Sequence, residues 1–226
     1  MASSIGKKFA MALSGFFLLI FLLQHMSINM VSVISADLFN ETSHFMGTNP
    51  LVQFALQPVL MIGVLFHLGM GVYLEKQNRA ARPIKYAMNK GAANSSWMSR
   101  NMIITGITVM LFLGLHLYDF WVHEMKVKYV QGDMTGLIDP VVIESGYRYW
   151  IELHEKFHDP VRVGIYIVSF VFLALHLLHG FQSAFQSVGF SHNRYTPMIK
   201  KLSNVYAIFV PACFIFIAVY HFMTQS

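Results

Sequence analysis

Charge is what this 226-residue chain has least of: Asp, Glu, Lys and Arg make up 12% of it, where a soluble domain carries about a quarter. The few charges are also gathered together. They leave charge-free stretches from Phe9 to Ala36, Thr42 to Leu74, Asn101 to Tyr118, Val163 to Asn193, and Leu202 to the C-terminus. An ordinary soluble domain is thereby excluded. Cysteine is scarcer still. The single Cys213 rules out a disulfide framework, a cysteine-ligated iron–sulfur cluster and a C-x-x-C-H haem attachment within this chain, and is read as a small apolar packing residue. No P-loop, dinucleotide-binding fingerprint or nucleophile elbow occurs, so the chain carries no soluble catalytic apparatus of its own.

What is present is apolar: 55% hydrophobic residues and a mean hydropathy of +0.51. A membrane-spanning helix needs about 20 apolar residues. The charge-free stretches predict five of them, near 10–34, 51–74, 101–122, 161–187 and 203–223, in an all-α polytopic membrane protein. Residues 1–226 form a single membrane domain, with little chain left for a second. Lys7 and Lys8 precede the first apolar run as in a signal peptide. That run far exceeds the roughly 7–15 residues of a signal's apolar core, so it is read as a retained helix.

Basic residues concentrate in short cytoplasmic segments. Here 11 of the 16 lie before the first helix, between the second and third, and between the fourth and fifth: Lys7, Lys8, Lys76, Arg79, Arg82, Lys85, Lys90, Arg100, Arg194, Lys200 and Lys201. Those segments hold a single acidic residue, Glu75. The reading is a bacterial cytoplasmic (inner) membrane protein with its N-terminus in the cytoplasm and its C-terminus outside. The pI of 9.3 then reflects topology and membrane lipid, and no nucleic-acid partner is implied.

Polar side chains inside the hydrocarbon are expensive and usually functional. Four predicted helices each carry a histidine well inside: "LLQHMS" at His25, "VLFHLG" at His67, "LGLHLY" at His116 and "LALHLL" at His176. At ~1.5 Å per residue, their distances from the flanking charges place His25 and His116 in the outer half, and His67 and His176 in the inner half. A repeat supports the pairing. Ser14-Gly15 and Thr105-Gly106 each precede an outer histidine by the same nine intervening residues. His67 and His176 are each followed by a glycine four residues on, Gly71 and Gly180. Glycines ten residues before the outer histidines lie ~15 Å inward, level with the inner pair, where a missing side chain admits a flat, bulky group.

Two imidazoles from different helices, without thiolate or carboxylate beside them, suit an iron porphyrin held from both faces in a helix bundle. A bare metal ion recruits a third or fourth ligand. A lone intramembrane histidine is ordinarily an interhelical hydrogen-bonding residue, but four at two matched depths with repeated glycine offsets are better explained by two haems. His179, one turn beyond His176, competes as the inner ligand, and the shared H-x-x-x-G offset favours His176. His221 is expected to be interfacial, and His44, His123, His154, His158 and His192 to be solvated in loops or at helix ends. Pro58 and Pro211 are candidate kinks. The segment "YRYWIELHEKFHD" at 147–159 reads as interfacial on the outer surface.

The stretches "FLLQHMSIN", "SHFMGTNP", "FHLGMGVYL", "TGITVMLFLGLHLYD" and "LHLLHGFQSAFQSVG" carry a resemblance that spans essentially the whole chain. It resembles the diheme, five-helix cytochrome b subunit of succinate dehydrogenases and fumarate reductases. The resemblance implies that His25, His67, His116 and His176 ligate two b-type haems. It also implies a flavoprotein subunit and an iron–sulfur subunit on the cytoplasmic side, with electrons passing between their clusters and quinone, usually menaquinone. The chain would then be the quinone-reactive, electron-transferring subunit of a succinate:quinone oxidoreductase. Two departures stand out. The outer segment 123–160 is longer than the family's usual connection. No carboxylate occurs on the fourth helix, so the proton-transfer glutamate of some members is not carried over. Asp119, three residues past His116, and the segment 41–47 are candidates for the quinone site, with Asp119 as a desolvated proton carrier. The alternative for Asp119 is a helix-end residue or a hydrogen-bond partner of an outer imidazole. Alternative functions are a diheme cytochrome b of a hydrogenase or formate dehydrogenase, or a haem-free transporter with histidines in its pathway. The transporter reading lacks charged residues in four helices and the inverted repeats common in such proteins.

Overall fold

The computed structural model describes residues 4–81, 101–138 and 144–224, so the basic residues Arg82, Lys85, Lys90 and Arg100 lie outside the described residues. The described residues are mostly helical, in α1 (Ser4–Ile34), α2 (Ala36–Thr48), α3 (Gln57–Ala80), α4 (Met102–His116), α5 (His123–Tyr129), α6 (Tyr149–Lys156), α7 (Pro160–Ser187) and α8 (Thr196–Met223), with an isolated β-bridge between Leu137 and Tyr147 in the connection before α6. A π-helical turn, Val52–Leu56, leads into α3, and another, Leu117–Val122, joins α4 to α5. Among the described residues, five continuous helical spans are long and apolar enough to cross a membrane: Ser4–Ile34, Val52–Ala80, Met102–Tyr129, Pro160–Ser187 and Thr196–Met223. The protein is a multi-pass membrane protein of the all-α class.

The spans agree with the five apolar runs but extend beyond several of them by one or two turns. Apolarity marks only the part of a helix that lies in hydrocarbon, whereas backbone hydrogen bonding carries on into polar turns. At one end of the first two spans the extra turns are laced by polar contacts: Lys7 Nζ donates to Tyr73 Oη at 2.8 Å, and Arg79 pairs with Glu75 at 2.6 Å. Pro58 follows directly on the π-helical turn Val52–Leu56 inside the continuous span, which runs through it without a break. Helix α8 runs unbroken through the buried Pro211.

Helix α7 is central, packing on α1, α4 and α8, and α8 also packs on α1. Helix α3 lies against α1 and α4 and buries no residue fully within this chain.

Two elements cap the end of the bundle to which His25 and His116 belong. Ser35 adopts extended backbone and caps α2, its Oγ accepting from Leu38 N at 3.2 Å. That turn folds residues 36–48 back as a helix, so the segment 41–47 is helical rather than a loop. Helix α6 packs on α2 through Asn40, which is fully buried. Its amide donates to Ser145 Oγ at 3.0 Å and Tyr147 O at 2.8 Å, and its Oδ1 accepts from Trp150 N at 2.6 Å. One small side chain thus satisfies three groups of the facing segment. Glu124 completes the cap. Lys128 pairs with it at 2.8 Å and Arg148 at 2.7 Å, while Arg148 also pairs with Glu152 at 2.6 Å. These carboxylates raise the Arg148 pKa against the opposing effect of burial, and burial pushes the Tyr149 phenol up to about 12.

Candidate functional site

His25 and His116 meet in the bundle. Their rings, from α1 and the last residue of α4, stand 5.7 Å apart between centres and are nearly perpendicular. Phe21 stacks on His25 and Phe214 of α8 approaches it. Phe112, Phe120 and Tyr166 surround His116. The amide of Asn29 lies 3.4 Å from His25 Nδ1, and its firm bond is to the His25 carbonyl at 2.8 Å. His116 Nδ1 is buried without a hydrogen-bond partner. An imidazole held in an aromatic cage with an orphaned nitrogen is costly and is a group in want of a ligand. Two imidazoles sharing one ion at metal–nitrogen distances of about 2 Å hold their ring centres roughly 6 Å apart, close to the separation found.

His67 and His176 meet the serine–glycine and threonine–glycine pairs. His67 Nδ1 lies 2.9 Å from Ser14 Oγ, and a Cβ on Gly15 would stand 3.7 Å from His67 Cε1. His176 Nδ1 lies 3.3 Å from Thr105 Oγ1, and a Cβ on Gly106 would stand 3.6 Å from His176 Cε1. The glycines ten residues before the outer histidines are therefore level with the inner ones. Ordinary contact distances at Gly15 and Gly106 mean that the imidazoles themselves do not demand glycine there. At Gly63 the approach of α1 and α3 is tighter: a Cβ would stand 2.6 Å from Phe17 Cε1, so that ring would have to shift.

Among the described residues no three His, Cys, Asp or Glu side chains come together as a metal-binding group. The His25–His116 pair is a donor set of the kind that would hold an iron macrocycle bringing its own nitrogens. The four histidines, the glycine clearance and the orphaned His116 Nδ1 fit such a group.

Asp119 lies on the π-helical turn that follows His116, a kind of bulge frequent at functional sites. The structure gives it two partners from α7: Arg162 NH1 donates to Oδ1, and Tyr166 Oη donates to Oδ2 at 2.8 Å. The Asp119 side chain is fully buried, while Arg162 keeps 27% of its side chain accessible. Tyr166 packs on Phe112, which in turn lies against His116. The partnerless His116 Nδ1 leaves no place for Asp119 as its hydrogen-bond acceptor. Arg162 and Tyr166 were not singled out in the sequence, although their spacing of four places both on one helix face.

His221 departs from expectation: it is fully buried rather than interfacial. The Ser32 hydroxyl donates to Asn29 O at 2.6 Å. His221 Nε2 must therefore donate to Ser32 Oγ, at 2.9 Å. His221 Nδ1 is then the acceptor for His154 Nδ1, at 3.1 Å. Trp150 stacks on His154 at 4.6 Å and donates to Ser32 O at 2.8 Å. The cluster ties α1, α6 and α8 together. Burial, with His158 nearby, lowers the His154 pKa. His44 is not a loop residue either; it lies on α2 and stacks on Tyr147 at 4.1 Å.

The chain is similar to the succinate dehydrogenase cytochrome b558 subunit of Bacillus subtilis (strain 168), at 23% identity over 197 residues that cover 84% of this chain and 81% of the relative. No family profile matches the chain, and no solved structure matches it.

Proposed function

We propose that this chain is the membrane-anchoring cytochrome b subunit of a succinate dehydrogenase or fumarate reductase, carrying electrons between a cytoplasmic iron–sulfur subunit and quinone. The observation that carries the proposal is the meeting of the His25 and His116 rings inside the bundle, with His67 and His176 each set on a matched hydroxyl–glycine pair. The similarity to a succinate dehydrogenase cytochrome subunit along most of both chains supports it. His25 and His116 would hold an outer haem b, and His67 and His176 an inner one. Bound haem supplies one-electron chemistry; the chain supplies the ligands, their spacing and the exclusion of water. A flavoprotein subunit would complete the enzyme on the cytoplasmic side. Quinone, menaquinone by the family resemblance, would react near the outer pair, where Asp119 with Arg162 and Tyr166 offers ionisable groups beside His116.

The paired ligands predict two haems b per chain. Pyridine haemochrome absorbance against protein concentration reads the ratio. A value near two is expected, and a value near zero would remove the cytochrome reading.

The proposed orientation places the N-terminus in the cytoplasm and the C-terminus outside. Three of the five basic residues assigned to the outer side, Lys128, Arg148 and Arg162, are engaged in ion pairs and so weigh little as free positive charge. Reporter fusions at the two termini test this. A C-terminal reporter active only in the cytoplasm would invert the arrangement and exchange the inner and outer pairs.

A further inference from the structure

The inner histidines sit in one constellation built twice. On α1, Met11, Ser14 and Gly15 face α3: Ser14 Oγ meets His67 Nδ1, Gly15 faces His67 Cε1, and Met11 Cε lies 3.6 Å from where a Cβ of Gly71 would be. On α4, Met102, Thr105 and Gly106 face α7 in the same way: Thr105 Oγ1 meets His176 Nδ1, Gly106 faces His176 Cε1, and Met102 Cε lies 3.4 Å from where a Cβ of Gly180 would be. A Met-x-x-(Ser/Thr)-Gly pattern on one helix thus docks on a His-x-x-x-Gly pattern on the next.

The proton count at each hydroxyl fixes the direction of its bonds. Ser14 Oγ is 2.8 Å from Met11 O, and Thr105 Oγ1 is 2.9 Å from Met102 O. A carbonyl has no proton to give, so each hydroxyl's single proton is committed to the preceding turn. Only its lone pairs remain for the imidazole. The imidazole must therefore donate: His67 and His176 each carry their proton on Nδ1. Their Nε2 atoms are then left with a free lone pair, the state a metal ligand requires. Thr105 is almost fully buried and Ser14 nearly so, which shields these bonds from competing water. The outer pair lacks the device, since His116 Nδ1 has no partner and His25 has only the distant Asn29 amide.

We propose that Ser14 and Thr105 are positioning residues, which lock His67 and His176 in the Nδ1–H tautomer and present Nε2 to the inner haem iron. The inference rests on the reading that the inner pair binds haem. It also distinguishes the histidines of α7, because the ring that Thr105 engages is that of His176. A hydrogen-bond acceptor on the far nitrogen raises the basicity of a ligating imidazole, and its removal typically weakens metal binding 10–100-fold.

The test uses the intact chain with Ser14→Ala and Thr105→Val, beside the conservative Ser14→Thr and Thr105→Ser, each read by redox titration of the haem absorption bands. Loss of the acceptor weakens the imidazole as a donor to ferric iron, so the inner component's midpoint potential should move upward while the outer one stays in place. The inner haem should also be lost about 10- to 100-fold faster to an excess of a competing haem-binding protein. The conservative variants should restore both properties. Unchanged potential and retention in both Ser14→Ala and Thr105→Val would overturn the inference. So would a shift shared by both components, or one that the conservative variants fail to reverse, either of which would reveal a packing effect. A wild-type chain that binds no haem would sink the underlying reading, and this inference with it.

Discussion

Replacement of His25 or His116 by alanine is expected to abolish one and the same haem signal, and replacement of His67 or His176 the other. The expectation follows from ring contact for the outer pair and from matched surroundings for the inner one. The rings of His25 and His116 already stand 5.7 Å apart, and His67 and His176 meet matched hydroxyl–glycine pairs on neighbouring helices. An iron held by two histidines would be left with a single protein bond when one of them is removed. The loss should therefore be near total for the affected component and small for its neighbour. Reduced-minus-oxidised spectra of the four variants measure it. His25→Ala and His116→Ala losing different components would break the pairing. Loss of the inner component in His179→Ala with its survival in His176→Ala would move the α7 ligand by one turn.

Much of this arrangement was legible in the sequence because the membrane makes it so. A charge-free run of suitable length in lipid has to be a helix, which is why five apolar stretches became five spans. Helical rise converts residue offsets into depth, so the ten-residue offset from glycine to histidine placed Gly15 and Gly106 beside the inner imidazoles before any coordinates. The caps were less legible. Residues 36–48 and 149–156 mix polar and apolar side chains, and what makes them helices is their packing on one another through Asn40. No periodicity announces that contact across more than a hundred residues. His221 was misplaced for the same reason: nothing near it in the sequence says that α6 folds over it and supplies His154. Arg162 was counted as an outer cation, and only the fold shows that it turns onto Asp119. The serine and threonine before the two glycines were visible as a repeat, but their donor–acceptor logic needed the 2.8 and 2.9 Å contacts to Met11 O and Met102 O.

The Asp119–Arg162 pair carries the second large prediction, through its asymmetry. Asp119 is enclosed, whereas Arg162 reaches solvent with part of its side chain. Removing the arginine strands an anion where it cannot be hydrated, while removing the carboxylate's charge leaves a guanidinium that can turn outward. Breaking a buried pair from one side costs about 3–5 kcal/mol, and the partial exposure of Arg162 places Arg162→Leu near the lower end, at about 3 kcal/mol. Asp119→Asn keeps the size and an acceptor for Tyr166 Oη, so it should cost clearly less. Thermal unfolding of the two variants in detergent orders them, and an Asp119→Asn chain less stable than Arg162→Leu would refute the account. The milder variant then serves to test function. Quinone reduction takes up protons and quinol oxidation releases them. If Asp119 handles those protons, Asp119→Asn should keep both haems and near-normal electron transfer to an artificial acceptor, while quinone-linked turnover falls by about 100-fold or more, the usual contribution of a positioned acid–base group. Intact quinone turnover would leave Asp119 as the anchor between α4 and α7 alone, and loss of the outer haem would show that its bond to Tyr166 holds the cage around His116.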